Sequence, residues 1–320
     1  MIRVAIKDDL AAVNDLFKEM LFSITANPNQ CGYTDNYLEK FVSNSGDIIF
    51  LDVEDNDIVG FISVELYRNP EEYIYIDDFC VSKKYRNKGI GKSLFFESLN
   101  YAIKNNIETI YLHAEKNNTP ALSFYKSFCF DIIEEVDNRL KLCLKLPKLT
   151  KYIVKNNNYI CLKLLGKGKG GYTYKAIGNN NNFVALKLIH HEPCDYYTFG
   201  NKFASEINDY KTLTQIGIPM PRLIDSDEKQ EIIIKELIDG PTISEMLSQN
   251  IDITIFLKQV KDIASLLKSN DLNIDYYPTN FMIKNNQLLY VDYECNNYMD
   301  EWSFDSWGIK YWIKSNGNVI

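Results

Sequence analysis

Two stretches of the 320-residue chain bring glycine, charge and reactive side chains together at spacings that suit phosphate-bearing ligands. The first runs from Val81 to Lys92 and reads Val-Ser-Lys-Lys-Tyr-Arg-Asn-Lys-Gly-Ile-Gly-Lys. Arg86, Gly89 and Gly91 fit an Arg-x-x-Gly-x-Gly pattern between an apolar run that reads as a strand and one that reads as a helix. Glycine lets the backbone turn tightly and approach an anion, so that successive N–H groups converge at a helix N-terminus. The segment Arg86, Asn87, Lys88, Gly89, Ile90, Gly91 and Lys92 is thus a candidate pyrophosphate cradle, with Lys83 and Lys84 adding positive charge. Just upstream stand Asp77 and Asp78. A carboxylate there could remove the proton from an attacking amine. Consecutive strand residues point to opposite faces, so only one of the two is expected at the reacting centre.

The second stretch, Leu165 to Ala176, carries Gly166, Gly168 and Gly171 in a Gly-x-Gly-x-x-Gly hairpin that leads from strand to strand. Phe183-Val-Ala-Leu-Lys187 follows, offering a lysine for the α- and β-phosphates of a nucleotide. Glu206 lies 19 residues further on in a helical pattern and could orient that lysine. Asp275 and Asn280 stand five residues apart, and Asp292 follows the apolar run Leu-Leu-Tyr-Val. Phosphoryl transfer needs one carboxylate to accept a hydroxyl proton, here Asp275, and ligands for Mg²⁺, here Asn280 and Asp292.

Composition narrows the remaining possibilities. Apolar residues make up 46% and charged residues 24%, with 22 Tyr and 17 Phe to build cores. No stretch approaches the roughly 20 uncharged apolar residues of a membrane span. The N-terminal MIRVAIKDDL has no apolar signal region, so a cytoplasmic protein without a membrane partner is expected. Seven scattered cysteines without a Cys-x-x-Cys pair read as reduced thiols, and three histidines leave little for a His-based metal site or catalytic base. The net charge of −8 is uneven: residues 1–147 hold 16 Lys and Arg against 23 Asp and Glu. That surplus of acid argues against nucleic acid as a partner and favours a cationic one such as an amine.

The elements that must position these residues follow from periodicity. Over 1–146, strand patterns at 2–6, 48–55, 58–68, 73–81, 109–115 and 139–146 alternate with helical patterns at 8–24, 35–44, 89–106 and 120–128. Pro147 ends the last strand, and residues 147–151 read as a linker. Residues 152–192 read as strands with Gly/Asn-rich turns, including a hairpin tip at Asn179–Asn182. From 199 onward the pattern is helical, with short strands near 281–292 and a final helix near 303–315.

Residues 1–146 resemble the GNAT acetyltransferase family. Arg86 to Gly91 resembles its acetyl-CoA pyrophosphate loop, and Asn118-Thr-Pro-Ala-Leu-Ser-Phe-Tyr125 resembles its second signature, with Cys129 where the family usually has Gly. The resemblance implies that Asn118 contacts the CoA arm and that Tyr125 protonates the departing thiolate. It also implies that the backbone of Cys80 and Val81 holds the thioester and pantetheine. Asp77 lies eight residues before Tyr85, a spacing similar to the base position of aminoglycoside 6′-acetyltransferases, which favours Asp77 over Asp78.

Residues 152–320 resemble the protein-kinase-like superfamily. The glycine hairpin and Val-Ala-Leu-Lys look like protein kinases, whereas the stretch from Pro278 to Glu294 looks more like aminoglycoside phosphotransferases and choline kinases. The resemblance implies that the backbone near Glu236 holds adenine and that Asp305 braces the catalytic loop. Asn273 stands in place of the usual His, no activation segment fits between Glu294 and Asp305, and the acceptor platform is minimal.

The fold class expected is α/β (α+β): a GNAT mixed sheet flanked by helices, then a small bilobal kinase-like domain with a minimal C-lobe. The function expected is a bifunctional transferase. It would join acetyl-CoA-dependent N-acetylation of an amine to ATP- and Mg²⁺-dependent phosphoryl transfer to an unidentified acceptor. The acetyl acceptor is a small-molecule or protein amine, a cationic small amine being favoured on charge. Two other readings differ in the second domain: a nucleotide-binding module that only regulates the acetyltransferase, or a pair of degenerate domains acting as scaffolds.

Overall fold

The structure is a computed structural model that describes residues 1–25, 31–34, 36–148, 150–193 and 200–313. Packing divides the chain into two compact units, 1–164 with 174–183, and 165–173 with 184–320. The first unit therefore holds 152–164 and 174–183 in addition to the 1–146 that its pattern marks out.

The first unit is built on a seven-stranded sheet. Its strands are β1 (Ile2–Val4), β2 (Ile48–Glu54), β3 (Asp57–Tyr67), β4 (Tyr73–Val81), β5 (Thr109–Glu115), β6 (Asp131–Val136) and β7 (Arg139–Lys145), in the order β1-β2-β3-β4-β5-β7-β6. Only β4 and β5 pair in parallel. Three helices accompany it: α1 (Leu10–Thr25), α2 (Ile90–Lys104) and α3 (Thr119–Ser127). Alternation along β2 and β3 serves two cores. Phe50, Ile62 and Val64 meet Leu94, Phe95 and Leu99 of α2. Ile49, Leu51 and Phe61 meet Val13 and Leu16 of α1. β3 is consequently buried without a break from Val59 to Glu65, as a central strand covered on both faces must be. β6 escapes a pattern-based reading because all six of its residues are exposed.

Beyond residue 150 come β8 (Lys151–Val154), β9 (Asn157–Gly168), β10 (Gly171–Gly178), β11 (Phe183–Ile189), β12 (Leu223–Asp227) and β13 (Ile232–Glu236). Ile160 and Leu162 of β9 and Ile177 of β10 lie in the same core as Phe95 and Phe128, which is why these segments belong to the first unit.

In the second unit, β11 pairs with β13 and β13 with β12, all antiparallel. Its helices are α4 (Lys202–Gln215), α5 (Ile243–Ser248) and α6 (Thr254–Lys268). α6 turns Phe256, Val260, Ile263 and Leu267 inward, a single stripe at helical spacing, onto Tyr276, Phe281 and Trp312. The helix expected at 303–315 is instead a short 3₁₀ turn, Gly308–Tyr311. Gly308 lies too close to Tyr276 for a Cβ (2.6 Å), so the tertiary contact sets this backbone rather than helix propensity. The end of that expected helix, and Cys194, lie outside the described residues.

Candidate functional site

β4 and β5 pair only through Ile74–Ile76 and Ile110–Leu112, although β4 continues to Val81 and β5 to Glu115. β4 then leads through a 3₁₀ turn, Lys83–Tyr85, into α2. Asn87 and Gly89 both adopt left-handed φ (63° and 87°), the reversal that turns the chain into the helix. Gly89 is the N-cap and supplies no side-chain cap, so the first-turn N–H groups of α2 depend on some other acceptor. A cavity of about 610 Å³ opens against this turn, lined by Val81, Arg86, Asn87, Gly89, Gly91 and Lys92 among others. Arg86 is steadied by its Nε donating to Val81 O at 3.0 Å, and Lys88 Nζ sits 4.8 Å from the Tyr85 ring centre. Ile90 buries its side chain, leaving its backbone as the only part that could serve an anion. The turn thus offers backbone donors, positive charge and space to a pyrophosphate.

Asp77 and Asp78 do not separate to opposite environments. The register of β3 and β4 shifts between Ile62 and Val64, and Ser63 Oγ takes the Asp78 N–H at 2.8 Å. That bulge breaks the alternation. Tyr37 Oη donates to Asp77, Tyr33 Oη donates to Asp78 at 2.6 Å, and the two tyrosine rings stack at 5.3 Å. Burial, with Asp77 and Glu65 close by, pushes Asp78 up to about 6 despite the bond from Tyr33. Burial raises Asp77 as well, against the bond from Tyr37. Glu65 itself is buried beside them and pairs with Lys40. Tyr33, Tyr37 and Glu65 carry no motif; only the acidic balance of this half hinted at them. Cys80 buries its thiol against Leu16 O, and desolvation pushes that thiol up to about 12, leaving the backbone as its usable part.

Tyr125 of α3 lines the same cavity as the glycine turn. It is 7% exposed, and burial pushes its phenol well above the ordinary value. Asn118 stands at the N-cap of α3, where its Oδ1 accepts from Ala121 N at 3.2 Å, and it is not part of the cavity wall. Cys129 carries φ 68° just past the end of α3. Phe130 N donates to Tyr125 O and Cys129 N to Lys126 O, the bond pair of a Schellman cap, which ordinarily calls for glycine at this position.

In the second unit, Lys187 pairs with Glu206, which is wholly buried, and its Nζ lies 3.6 Å from Asp292 Oδ1. Burial opposes the Lys187 charge, but Asp292 and Glu206 outweigh it and hold the ammonium above its ordinary value. Burial would likewise raise Asp292; Lys187, Lys235 and Lys202 prevail and hold it below the usual carboxylate range. Gly171 packs against this lysine: a Cβ would stand 2.9 Å from Leu188 O and from Lys187 Cε. A Cβ on Gly166 would meet nothing within 4 Å, and one on Gly168 would make only an ordinary contact with Gly171 O at 3.9 Å. Asn280 Nδ2 donates to Asp275 O, and Val291 N donates to Asn280 O, so these residues adjoin Asp292 through the backbone. Asp275 is exposed and accepts from Tyr277 N. Glu236 pairs with Lys284, and its N–H is taken by Arg222 O. Lys202 and Lys235 belong to no motif in the sequence, yet both charge this site. Lys202 bonds Glu294 at 2.9 Å; Lys235 donates to Val291 O, and burial lowers it to about 8.

Residues 11–130 match the model of the acetyltransferase (GNAT) family. Among curated proteins, streptothricin acetyltransferase A of Bacillus subtilis is 31% identical over 109 residues, 34% of this chain and 61% of that protein. N-alpha-acetyltransferase 50 of Danio rerio is 30% identical over 118 residues, 35% of this chain and 70% of that protein. The chain spans about 60% of the length of the first curated relatives it matches. Among solved structures, the PaiA N-acetyltransferase of Thermoplasma acidophilum in complex with coenzyme A aligns with a TM-score of 0.38 at 20% identity, covering 45% of this chain and 98% of that one. No helix among the described residues is long and apolar enough to cross a membrane. Through its first unit, the chain belongs to the GNAT acetyltransferase family.

Proposed function

We propose that the first unit transfers the acetyl group of acetyl-CoA to an amine. The observation that carries this reading is the uncapped N-terminus of α2, where Gly89, Arg86 and Lys92 line a cavity that also reaches Tyr125. Acetyl-CoA, when bound, supplies the activated thioester. The loop amides and Arg86 hold its phosphates, and the unpaired edge of β4 at Cys80 and Val81 accommodates its pantetheine arm. Asp77 takes the proton of the incoming ammonium, relayed or assisted by Asp78, whose raised value suits a base working near neutrality. Tyr125 keeps its proton at neutral pH and stands on the cavity wall to give it to the departing sulfur.

The acceptor we favour is a small cationic amine. Lys40 already pairs with Glu65, so Asp77 and Asp78, each accepting from a tyrosine hydroxyl, are the carboxylates left to attract it. The name of the Bacillus relative supports a small molecule; that of the Danio relative supports a protein amino group. Release of free thiol from acetyl-CoA, measured with a polyamine, an aminoglycoside, a streptothricin and a peptide N-terminus, tests both points. Release with the peptide alone overturns the small-amine reading, and no release with any of them overturns the activity.

We further infer that the second unit binds a nucleoside triphosphate. The buried Lys187–Glu206 pair beside Asp292 supports this reading, since a fixed ammonium and an anionic carboxylate suit phosphate and cation in turn. Asp292 and Asn280 would hold Mg²⁺, whose charge would neutralise phosphate oxygens. Among the described residues no three His, Cys, Asp or Glu side chains cluster to bind a metal unaided, so phosphate oxygens would complete the shell. Phosphoryl transfer with Asp275 as base and purely regulatory binding are separated by measuring Mg-ATP turnover in the parent and in Asp275→Ala. Turnover that Asp275→Ala abolishes, with binding retained, supports the transferase; binding without turnover in the parent supports regulation.

A further inference from the structure

We infer that the hairpin tip joining β10 to β11 is a working wall of the acyl-CoA site, lined by Asn181 and Asn182, with Asn181 and Phe183 positioning Lys92 toward the cofactor phosphates. The acetyltransferase pattern ends at residue 146, so nothing in that pattern assigns a role to residues 179–183. This inference rests on the acetyl-CoA reading of the cavity.

Asn181 and Asn182 line the cavity together with Gly89, Gly91, Lys92 and Tyr125. Asn181 Nδ2 donates to Ser93 Oγ at 2.6 Å, and Asn181 O accepts from Lys92 Nζ at 3.2 Å. The Asn181 amide also lies 3.5 Å from where a Cβ on Gly89 would stand. Lys92 Nζ rests 4.8 Å from the Phe183 ring centre, so two neighbouring tip residues hold one ammonium.

The tip is firmly anchored. Ile177 is fully buried in the first unit's core, and Phe183 packs edge-on against Phe128 at 5.1 Å. Gly178 N donates to Asn182 O, Asn181 N to Gly178 O, and Asn179 N to Asn158 O. Asn181 takes the left-handed φ of 65° that closes the turn.

Two features are poorly explained by structure alone. Lys92 is the third residue of α2, and a cation in a helix's first turn opposes the helix dipole unless an anion joins it. Asn181 Oδ1 is buried without a hydrogen-bond partner among the described residues, which a contact made only for stability would avoid. Both make sense if the tip fixes Lys92 for an arriving phosphate group.

The test uses the full chain and coenzyme A itself, with calorimetric affinity and melting temperature read on each variant. Asn181→Asp places a carboxylate beside Lys92 and the α2 N-terminus, where it imitates the ligand's anion. The melting temperature is expected to hold or rise while coenzyme A binds at least tenfold more weakly. Asn182→Glu, at an exposed position on the same wall, is expected to weaken binding about fivefold and carries the test if the first variant misfolds. Gly89→Glu serves as the control that locates the ligand. If the parent binds coenzyme A and Gly89→Glu does not, yet both tip variants bind within twofold of the parent, the wall is disproved and the cofactor reading stands. If the parent itself does not bind, the cofactor reading fails and takes this inference with it.

Discussion

The chain uses glycine for two different reasons in its two phosphate-loop candidates. Gly89 has space around it but a φ of 87° that side chains resist, whereas Gly171 has no such φ and no space, because Lys187 and Leu188 O crowd it. The charges around them differ too. Arg86 and Lys88 face the first turn with no carboxylate among the described residues bonded to them, whereas Lys187 is already paired with Glu206 and close to Asp292. Nearby aspartates shift in opposite directions: Asp78 is pushed up by burial among acids, and Asp292 is held down by three lysines. The first unit thus pairs a phosphate-ready turn with carboxylates able to exchange protons. The second holds a fixed anion suited to a cation.

The largest expected effect breaks the first half of that contrast. Gly89→Glu puts bulk, charge and a strained φ where phosphate should lie, and coenzyme A affinity should fall on the order of 100-fold, or roughly 2.7 kcal/mol. Gly89→Asn, which tolerates a left-handed φ, should stay within a few-fold. Equal losses in both would mean that glycine serves space here after all.

Gly171→Ala probes the other half. A Cβ 2.9 Å from a backbone oxygen forces a shift, and urea unfolding should show a loss of about 2 kcal/mol. Gly166→Ala meets nothing within 4 Å and should stay within about 0.5 kcal/mol of the parent. If the two alanines cost the same, the close packing of Gly171 on Lys187 is not the reason for that glycine.

The carboxylates sharpen the contrast through pH. The folded protein holds the Asp78 proton more tightly than the unfolded chain does, so this group's contribution to stability is full at low pH and is lost as pH rises from about 4 to about 6. Asp78→Asn should remove on the order of 2 kcal/mol of that decline, measured as the pH dependence of urea midpoints. Asp292 works in reverse, stabilising above the unfolded value and losing that contribution as pH falls through its lowered folded value. Acid titration of Asp292→Asn should therefore be flatter below pH 4, the opposite end of the range. In activity, Asp77→Asn is expected to cost more than Asp78→Asn; the reverse order would move the base to Asp78.

Local signals carried much of this. The glycine turn before α2 was readable because its glycines, cations and flanking periodicities all lie within about a dozen residues. The joint environment of Asp77 and Asp78 was not, because β4 fits both of them opposite the single Ser63 of β3, a bulge that only the pairing with the neighbouring strand reveals. β6 gave no alternating pattern because neither of its faces is covered. The Asn179–Asn182 turn was plain, but its docking beside Lys92 depends on Ile160, Leu162 and Ile177 choosing the first core, a long-range decision that no local window contains. Asn118 is a motif position with a local task as well, its side-chain oxygen capping its own helix.

The smallest effect tests whether dihedral demand alone explains a glycine position. Cys129 occupies the left-handed position of the cap that ends α3, with φ 68° and both bonds of the cap intact. A non-glycine residue there costs roughly 1–2 kcal/mol, while glycine's greater freedom in the unfolded chain returns about 0.5–1 kcal/mol of the difference. Cys129→Gly should therefore stabilise the first unit by about 0.5–1 kcal/mol in urea, with coenzyme A affinity unchanged. A destabilised variant would mean that the half-buried thiol contributes more through packing than its backbone loses through strain. The left-handed φ would then not suffice to explain a glycine at Gly89 either, and the space on its cavity side would have to be the reason.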